Sequence, residues 1–183
     1  MEGKSKAVPS NPEAAKICEI LEMERHPAEY GWYKEVYRAE LQVNRQTDHV
    51  DRSAMTSIYF LQESGARPLW RRLKSDELFV WVKGSPVELH LLDDKTGQAG
   101  VVIIGDILDT GKQVDGDIKV DGSQYTVPAG IYFNSDVIAP NTYALFICTV
   151  APGFEFADFR CIPQPELHDL FPKHKALIDR FFF

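Results

Sequence analysis

Paired cysteines, a positive charge excess, long apolar runs and histidine-rich metal motifs are all missing from this chain of 183 residues. The cysteines Cys18, Cys148 and Cys161 are odd in number and widely spaced. That pattern excludes a disulfide framework and a zinc knuckle, and it reads as reduced thiols. Cys148 and Cys161 sit in apolar alternating runs and are expected in the core. The formal net charge of −7 disfavours attraction to phosphate backbones or anionic headgroups, and no helix-turn-helix pattern is present. No apolar run approaches the roughly 18–20 residues needed to span a bilayer. The opening MEGKSKAVPSNPEAAK has no hydrophobic segment of the secretory kind. The expectation is a cytoplasmic protein with no nucleic-acid or membrane partner. Internal repeats and low-complexity stretches are also lacking.

The composition, 44% hydrophobic and 26% charged, suits one ordered globular unit with one substantial core. Residues 1–10 read as a polar, flexible tail, and 11–183 as a single domain. Asn11-Pro12 is an N-cap followed by proline at the first helical position. Ala14, Ala15, Ile17, Cys18 and Leu21 then keep helical spacing, and the helix is expected to stop near His26-Pro27. From Trp32 to Cys161 the pattern is β. Runs at 32–41, 54–62, 77–82, 87–92, 101–108, 118–120, 144–150 and 154–161 are separated by turns such as Lys83-Gly84-Ser85-Pro86, Asp93-Asp94-Lys95-Thr96-Gly97 and Asp115-Gly116. Short strands at this spacing predict an all-β antiparallel sandwich or barrel over about 32–161. Residues 165–183 return to helical periodicity. Leu167, Leu170 and Phe171 precede Pro172, and Ala176, Leu177, Ile178 and Phe181 follow it. The closing Phe181-Phe182-Phe183 is too apolar to stay in water and is expected to pack on the barrel or on a second subunit.

Two segments carry a bipartite pattern. Gly65, five residues, Arg71, one residue, Leu73, three residues, Glu77, six residues and Gly84 form the first half. Gly122, five residues, Pro128-Ala129-Gly130, two residues and Phe133 form the second. This resembles the cupin signature, so the fold implied is a cupin double-stranded β-helix barrel with an N-terminal helix and short C-terminal helices. Further segments are similar to one small cupin subfamily catalogued as a domain of unknown function. They are Trp32-Tyr33-Lys34-Glu35-Val36-Tyr37-Arg38, Thr56-Ser57-Ile58-Tyr59-Phe60-Leu61, Leu73-Lys74-Ser75-Asp76-Glu77 and Thr149-Val150-Ala151-Pro152-Gly153-Phe154-Glu155-Phe156. The last is the most specific, and the likeness covers nearly the whole chain. The chain departs from the subfamily mainly at pocket positions. It has Arg71 after Trp70 where a histidine is usual, Phe79 and Val80 where tryptophan and histidine are usual, and Ala28-Glu29-Tyr30-Gly31 after His26-Pro27 where Glu-Gly-Gly is usual.

In cupins the positions of Arg71, Leu73 and Phe133 are normally histidines that hold a divalent metal with the glutamate at Glu77. Leucine and phenylalanine have no lone pair to give, and arginine stays protonated, so no metal and no cofactor are expected. His26, His49, His90, His168 and His174 lie outside both motifs, and His90 alternates with Leu89 and Leu91 and so is expected to face outward. The barrel makes the old ligand positions converge, which predicts a charge-assisted pair of Arg71 with Glu77. The guanidinium would stand in for the ion and orient an anionic or carbonyl-bearing ligand; alternatively the pair is a structural salt bridge filling a vacated site. Strand alternation places Glu77, Phe79 and Trp81 on one face, and Tyr33, Glu35 and Tyr37 on another. The expected catalytic set is Glu77, Arg71 and Tyr37. The expected ligand-binding set is Tyr33, Glu35, Trp70, Phe79, Trp81 and Phe133, although any one of these aromatics can equally be barrel core. His26 is a further candidate for proton transfer, against a structural role.

Two functions remain open. One is a metal-independent isomerase, epimerase or cyclase working by proton transfer on a small, partly polar or aromatic metabolite, with a place in a biosynthetic pathway. The other is a noncatalytic small-molecule binder or carrier. The resemblance further implies a homodimer.

Overall fold

The computed structural model describes residues 8–66, 69–114 and 118–182. Most of the expected tail, the Asp115-Gly116 turn and Phe183 lie outside them. The first helix, α1 (Pro12–Ile20), begins as the sequence predicts: the Asn11 side chain accepts from the backbone N–H of Glu13 at 3.0 Å and of Ala14 at 3.1 Å. It ends earlier than expected. Glu22 takes a positive φ of 52°, and the Met23 N–H closes back on the Cys18 carbonyl at 2.8 Å, so the chain is extended before His26-Pro27 is reached.

Among the described residues, fifteen strands follow in chain order. They are β1 (Glu24–Arg25), β2 (Trp32–Arg38), β3 (Gln42–Arg45), β4 (Val50–Ser53), β5 (Thr56–Glu63), β6 (Arg71–Leu73), β7 (Asp76–Gly84) and β8 (Val87–Asp93), then β9 (Gln98–Ile104), β10 (Gln113–Val114), β11 (Ile118–Lys119), β12 (Gln124–Val127), β13 (Tyr132–Val137), β14 (Tyr143–Ala151) and β15 (Phe159–Cys161). One sheet has the order β1-β2-β5-β14-β7-β12 and the facing sheet the order β15-β6-β13-β8-β9. The pairings within both are antiparallel. Each half-motif gives one strand to each sheet, and β6 pairs with β13 and β7 with β12, so the two halves lie side by side in both walls of one jelly roll. The expected strand at 154–161 is broken by a 3-10 turn at Phe156–Asp158, and β1, β3, β4, β6, β10, β12 and β13 are additional to those expected.

Three apolar clusters hold the layers. The innermost, with Phe60, Phe79, Leu89, Phe133 and Phe146, lies between the sheets. A second fixes the C-terminal helices α2 (Gln164–Leu170) and α3 (Lys175–Asp179) to the outer face of the five-stranded sheet through Leu167, Phe171, Ile178 and Phe181. The third seats α1 on the other sheet through Ala14, Cys18, Trp32 and Leu61. Phe181 packs on the barrel, as one of the two expectations held. It caps Trp70 and His90 at centroid distances of 5.9 and 5.1 Å. His90 does point away from the barrel interior, yet that aromatic cap leaves it buried.

Gly84 closes the first half-motif for a steric reason. Its φ is 100°, and a Cβ there would strike the carbonyl oxygen of Tyr143 on the adjacent strand. Gly84→Ala is expected to lower stability by about 2–4 kcal/mol in denaturant titration. An unchanged midpoint would contradict this close approach.

Candidate functional site

A cavity of about 500 Å3 opens at one end of the barrel, lined by both sheets and by the segment that precedes β2. Cross-strand register builds its floor in rows. Glu35, Ile58, Cys148 and Phe79 lie side by side, as do Arg38, Thr56, Val150 and Glu77. Partners directly opposite in antiparallel strands share a face, so each row presents its side chains to the cavity together.

Arg71 enters from β6 and is almost fully buried. Its Nε stands 3.3 Å from Glu29 Oε1, and its Nη2 donates to Ser135 Oγ at 3.2 Å. The Ser135 hydroxyl in turn donates to Gln62 Oε1 at 2.8 Å. The guanidinium lies over the Phe133 ring at 4.5 Å. The expected Arg71–Glu77 ion pair is therefore corrected: the carboxylate on Arg71 is Glu29, from the loop after His26-Pro27. Glu77 lines the same cavity without contacting the guanidinium within 4.0 Å.

That leaves Glu77, partly buried in the cavity wall, with no direct counterion. Burial pushes its carboxyl up from the usual 4.5 to about 7, and Glu29 pushes the same way. The Arg71 charge and a hydrogen bond from the Cys148 thiol oppose the rise. The Cys148 thiol itself is driven well up by burial and then by Glu77, so it stays protonated.

His26 is the second titratable group in the wall. Its Nδ1 accepts from the backbone N–H of Glu29 at 2.9 Å and of Ala28 at 3.3 Å. Tyr33, Phe60 and Phe159 stand edge-on to its ring at centroid distances of 5.0, 6.0 and 6.3 Å. Burial lowers its pKa, Arg71 lowers it further, and Glu29 raises it.

At the mouth, Arg38 is gripped by both oxygens of Glu35 at 3.0 and 2.9 Å and by Glu155 at 2.8 Å. The Phe156–Asp158 turn beside it is anchored by Asp158, which accepts bidentate pairs from Arg45 and from Arg52 at 2.7–3.0 Å. Tyr33 also lines the cavity, and its hydrogen bond to Glu24 holds the phenol's pKa up.

Of the residues singled out as site candidates in the sequence, Arg71, Glu77, Tyr33, Glu35, Phe79 and His26 line the cavity, and four others do not. Tyr37 is half exposed on the opposite face, because a bulge after Glu35 puts it across from Ser57 and gives the inward place to Arg38. Trp70 precedes Arg71 and so points the other way, into the cluster under the C-terminal helices. Trp81 lies beyond the cavity's end, its indole N–H donated to the Ser85 carbonyl at 3.0 Å. Phe133 is a platform beneath Arg71, edge-to-face with Phe79. Sequence reasoning missed Glu29 and Cys148 as cavity residues. The signal for Glu29 was the altered loop after His26-Pro27, a departure at the same kind of position as Arg71.

A divalent ion does not fit this donor set. Three of the four positions around the old metal locus carry a guanidinium, an isobutyl and a phenyl group, none with a lone pair to give. Among the described residues, no group of three or more His, Cys, Asp or Glu side chains stands in a ligand-like arrangement.

Two facing antiparallel sheets carrying the two half-motifs around an end cavity define a cupin barrel. The chain belongs to the Cupin superfamily (DUF985), whose family model matches residues 15–162. It is similar to a hypothetical protein from Leishmania major, with 30% identity over 91% of this chain and 97% of that one and a TM-score of 0.79. It is similar also to a protein from Shewanella oneidensis, with 28% identity over 92% of this chain and 96% of that one and a TM-score of 0.75. Oxalate decarboxylase from Bacillus subtilis shares the fold at 14% identity and a TM-score of 0.50, over 87% of this chain and 37% of that one. Comparison with curated proteins gives no match. Among the described residues, no helix is long and apolar enough to cross a membrane.

The raised Glu77 pKa has a thermodynamic consequence. Between pH 4.5 and about 7 the unfolded chain has released this proton while the folded chain keeps it, so stability falls as pH rises through that window. Glu77→Gln should match the wild type at pH 4 and exceed it by on the order of 3 kcal/mol at pH 8 in urea denaturation. A constant difference across pH would show that Glu77 titrates normally.

Proposed function

We propose that this cavity is a metal-independent catalytic site that moves a proton on a small, partly polar or aromatic metabolite, in the manner of an isomerase, epimerase or cyclase. The supporting observation is Glu77: a carboxyl facing the barrel cavity, with its pKa lifted to about 7 by burial. A general base works best when its pKa lies near the working pH. Arg71, held by Glu29, Ser135 and Phe133, supplies a fixed cation beside it. Such a preorganised charge stabilises an oxyanion without reorganising during the reaction. The aromatic walls suit a flat molecule, and the volume is that of an ordinary metabolite site.

A noncatalytic binding role uses the same cavity. It is favoured by the outward placement of Tyr37, which leaves Glu77 without the phenolic partner expected for it.

The test begins with the metabolite retained by the purified protein and identified by native mass spectrometry. Incubation in deuterium oxide should exchange one of its carbon-bound hydrogens. The rate should rise with pH about a midpoint near 7, where Glu77 becomes the base. Glu77→Gln should reduce the exchange at least a hundredfold. Tight binding with no exchange at any pH supports the carrier and ends the catalytic reading.

A further inference from the structure

The geometry points to a two-donor oxygen site: His26 Nε2–H and Arg71 Nη1 together hold the oxygen of a carbonyl whose neighbouring C–H is the acid that Glu77 deprotonates. This inference rests on the proton-transfer reading and names its substrate class, a ketone, aldehyde or ester with an acidic α-hydrogen.

The tautomer of His26 is set by the backbone. Two N–H groups, of Ala28 and Glu29, aim at Nδ1, which can accept them only as a bare lone pair. The ring hydrogen therefore sits on Nε2. An added proton on Nδ1 would break both bonds, and the surrounding aromatic rings disfavour the imidazolium. With Nδ1 engaged and Nε2 already protonated, His26 has no free lone pair and is not a base. It is a neutral donor, as a histidine kept uncharged to polarise a carbonyl is.

Arg71 is similarly committed. Nε faces Glu29 and Nη2 faces Ser135, which leaves Nη1 without a protein partner among the described residues. One residue sets both donors. The Glu29 backbone N–H fixes the imidazole at 2.9 Å, and its carboxylate stands 3.3 Å from the guanidinium. Glu29 is thus a positioning residue. Its charge also offsets that of Arg71, so a neutral carbonyl meets no large net charge on entering. A neutral carbonyl enters easily, and the two donors strengthen as negative charge grows on its oxygen, which is the differential binding that catalysis needs.

The step balances without a co-reactant. Glu77 takes the α-proton, the C–H electron pair becomes a C=C bond, and the C=O π pair moves onto the oxygen between His26 and Arg71. Return of the proton from Glu77, to the same carbon or to the far end of a conjugated dienolate, restores the carbonyl with composition unchanged.

The test uses benzohydroxamate, a planar enolate mimic, and benzylamine, a cation of similar size, by calorimetry on the full chain. Benzohydroxamate should bind the wild type at least tenfold more tightly than benzylamine. His26→Phe and Arg71→Met should each weaken it at least tenfold, and His26→Gln, whose amide N–H reaches the place of Nε2–H, should recover most of the loss. No binding of benzohydroxamate, preference for benzylamine, or indifference to both substitutions overturns the inference. Should a variant fail to fold, nitrogen-15 NMR of wild-type His26 decides: the Nε2–H neutral tautomer throughout pH 6–8 supports the site, and an imidazolium in that range overturns it. Donor-dependent hydroxamate binding with no C–H exchange in any ligand keeps the oxygen site and ends the catalytic reading. Exchange abolished by Glu77→Gln, with hydroxamate affinity indifferent to His26 and Arg71, does the reverse.

Discussion

The contact between Arg71 and Glu29 is the constraint from which the rest of the cavity follows. A guanidinium buried in a barrel needs a counterion, and two carboxyls stand within its electrostatic reach, Glu29 and Glu77. Glu29 takes the contact, because the loop after His26-Pro27 carries it to Nε, while Ser135 and Phe133 fix the plane of the head group. Glu77 is thereby left without a direct counterion, and its proton becomes easy to hold and easy to lose near neutrality. Had Arg71 paired with Glu77 instead, the acid would be locked as a permanent anion with little basicity. The choice of partner is what separates a structural salt bridge from a reactive carboxyl.

The surroundings keep this arrangement in place. Asp158 binds two arginines from the β3–β4 hairpin, which immobilises the turn bearing Phe156 at the rim. Arg38, turned inward by the bulge in β2, is neutralised by Glu35 and Glu155 at the entrance. Each lining arginine therefore has a lining carboxylate against it, and the unpaired acid is at depth. C-terminal helices and α1 seal the outer faces of the two sheets, so the cavity walls are backed by packed side chains.

The barrel was legible because its signals are local. Gly84 is dictated by a contact across one strand pair, Asn11 by two orphan N–H groups, and the strands by two-residue alternation. The half-motifs placed Arg71 and Glu77 in one cavity, and the missing histidines marked three positions that offer no lone pair. The altered loop at Ala28-Glu29 was visible too, as a departure from the family pattern, but its meaning was not. Which carboxylate meets Arg71 depends on a contact between positions 29 and 71, and no spacing rule spans that distance. Alternation failed at Tyr37 because one inserted residue, Val36, reverses the facing of everything after it. Trp81 keeps the expected face but lies beyond the end of the cavity, a matter of depth that alternation does not carry. Trp70 fell on the wrong side of β6 because its likeness to a pocket position outweighed its place next to Arg71. The lesson is physical: bulges and loop-borne ion pairs decide which side chains meet, and neither is written in local periodicity.

The most direct measurement is a carbon-13 NMR titration of the Glu77 side-chain carboxyl in the wild-type protein. A buried acid whose neighbouring cation is occupied by Glu29 titrates with a midpoint near 7. A midpoint at or below the ordinary 4.5 would mean that Glu77 is solvated or holds the guanidinium itself, and would contradict the account.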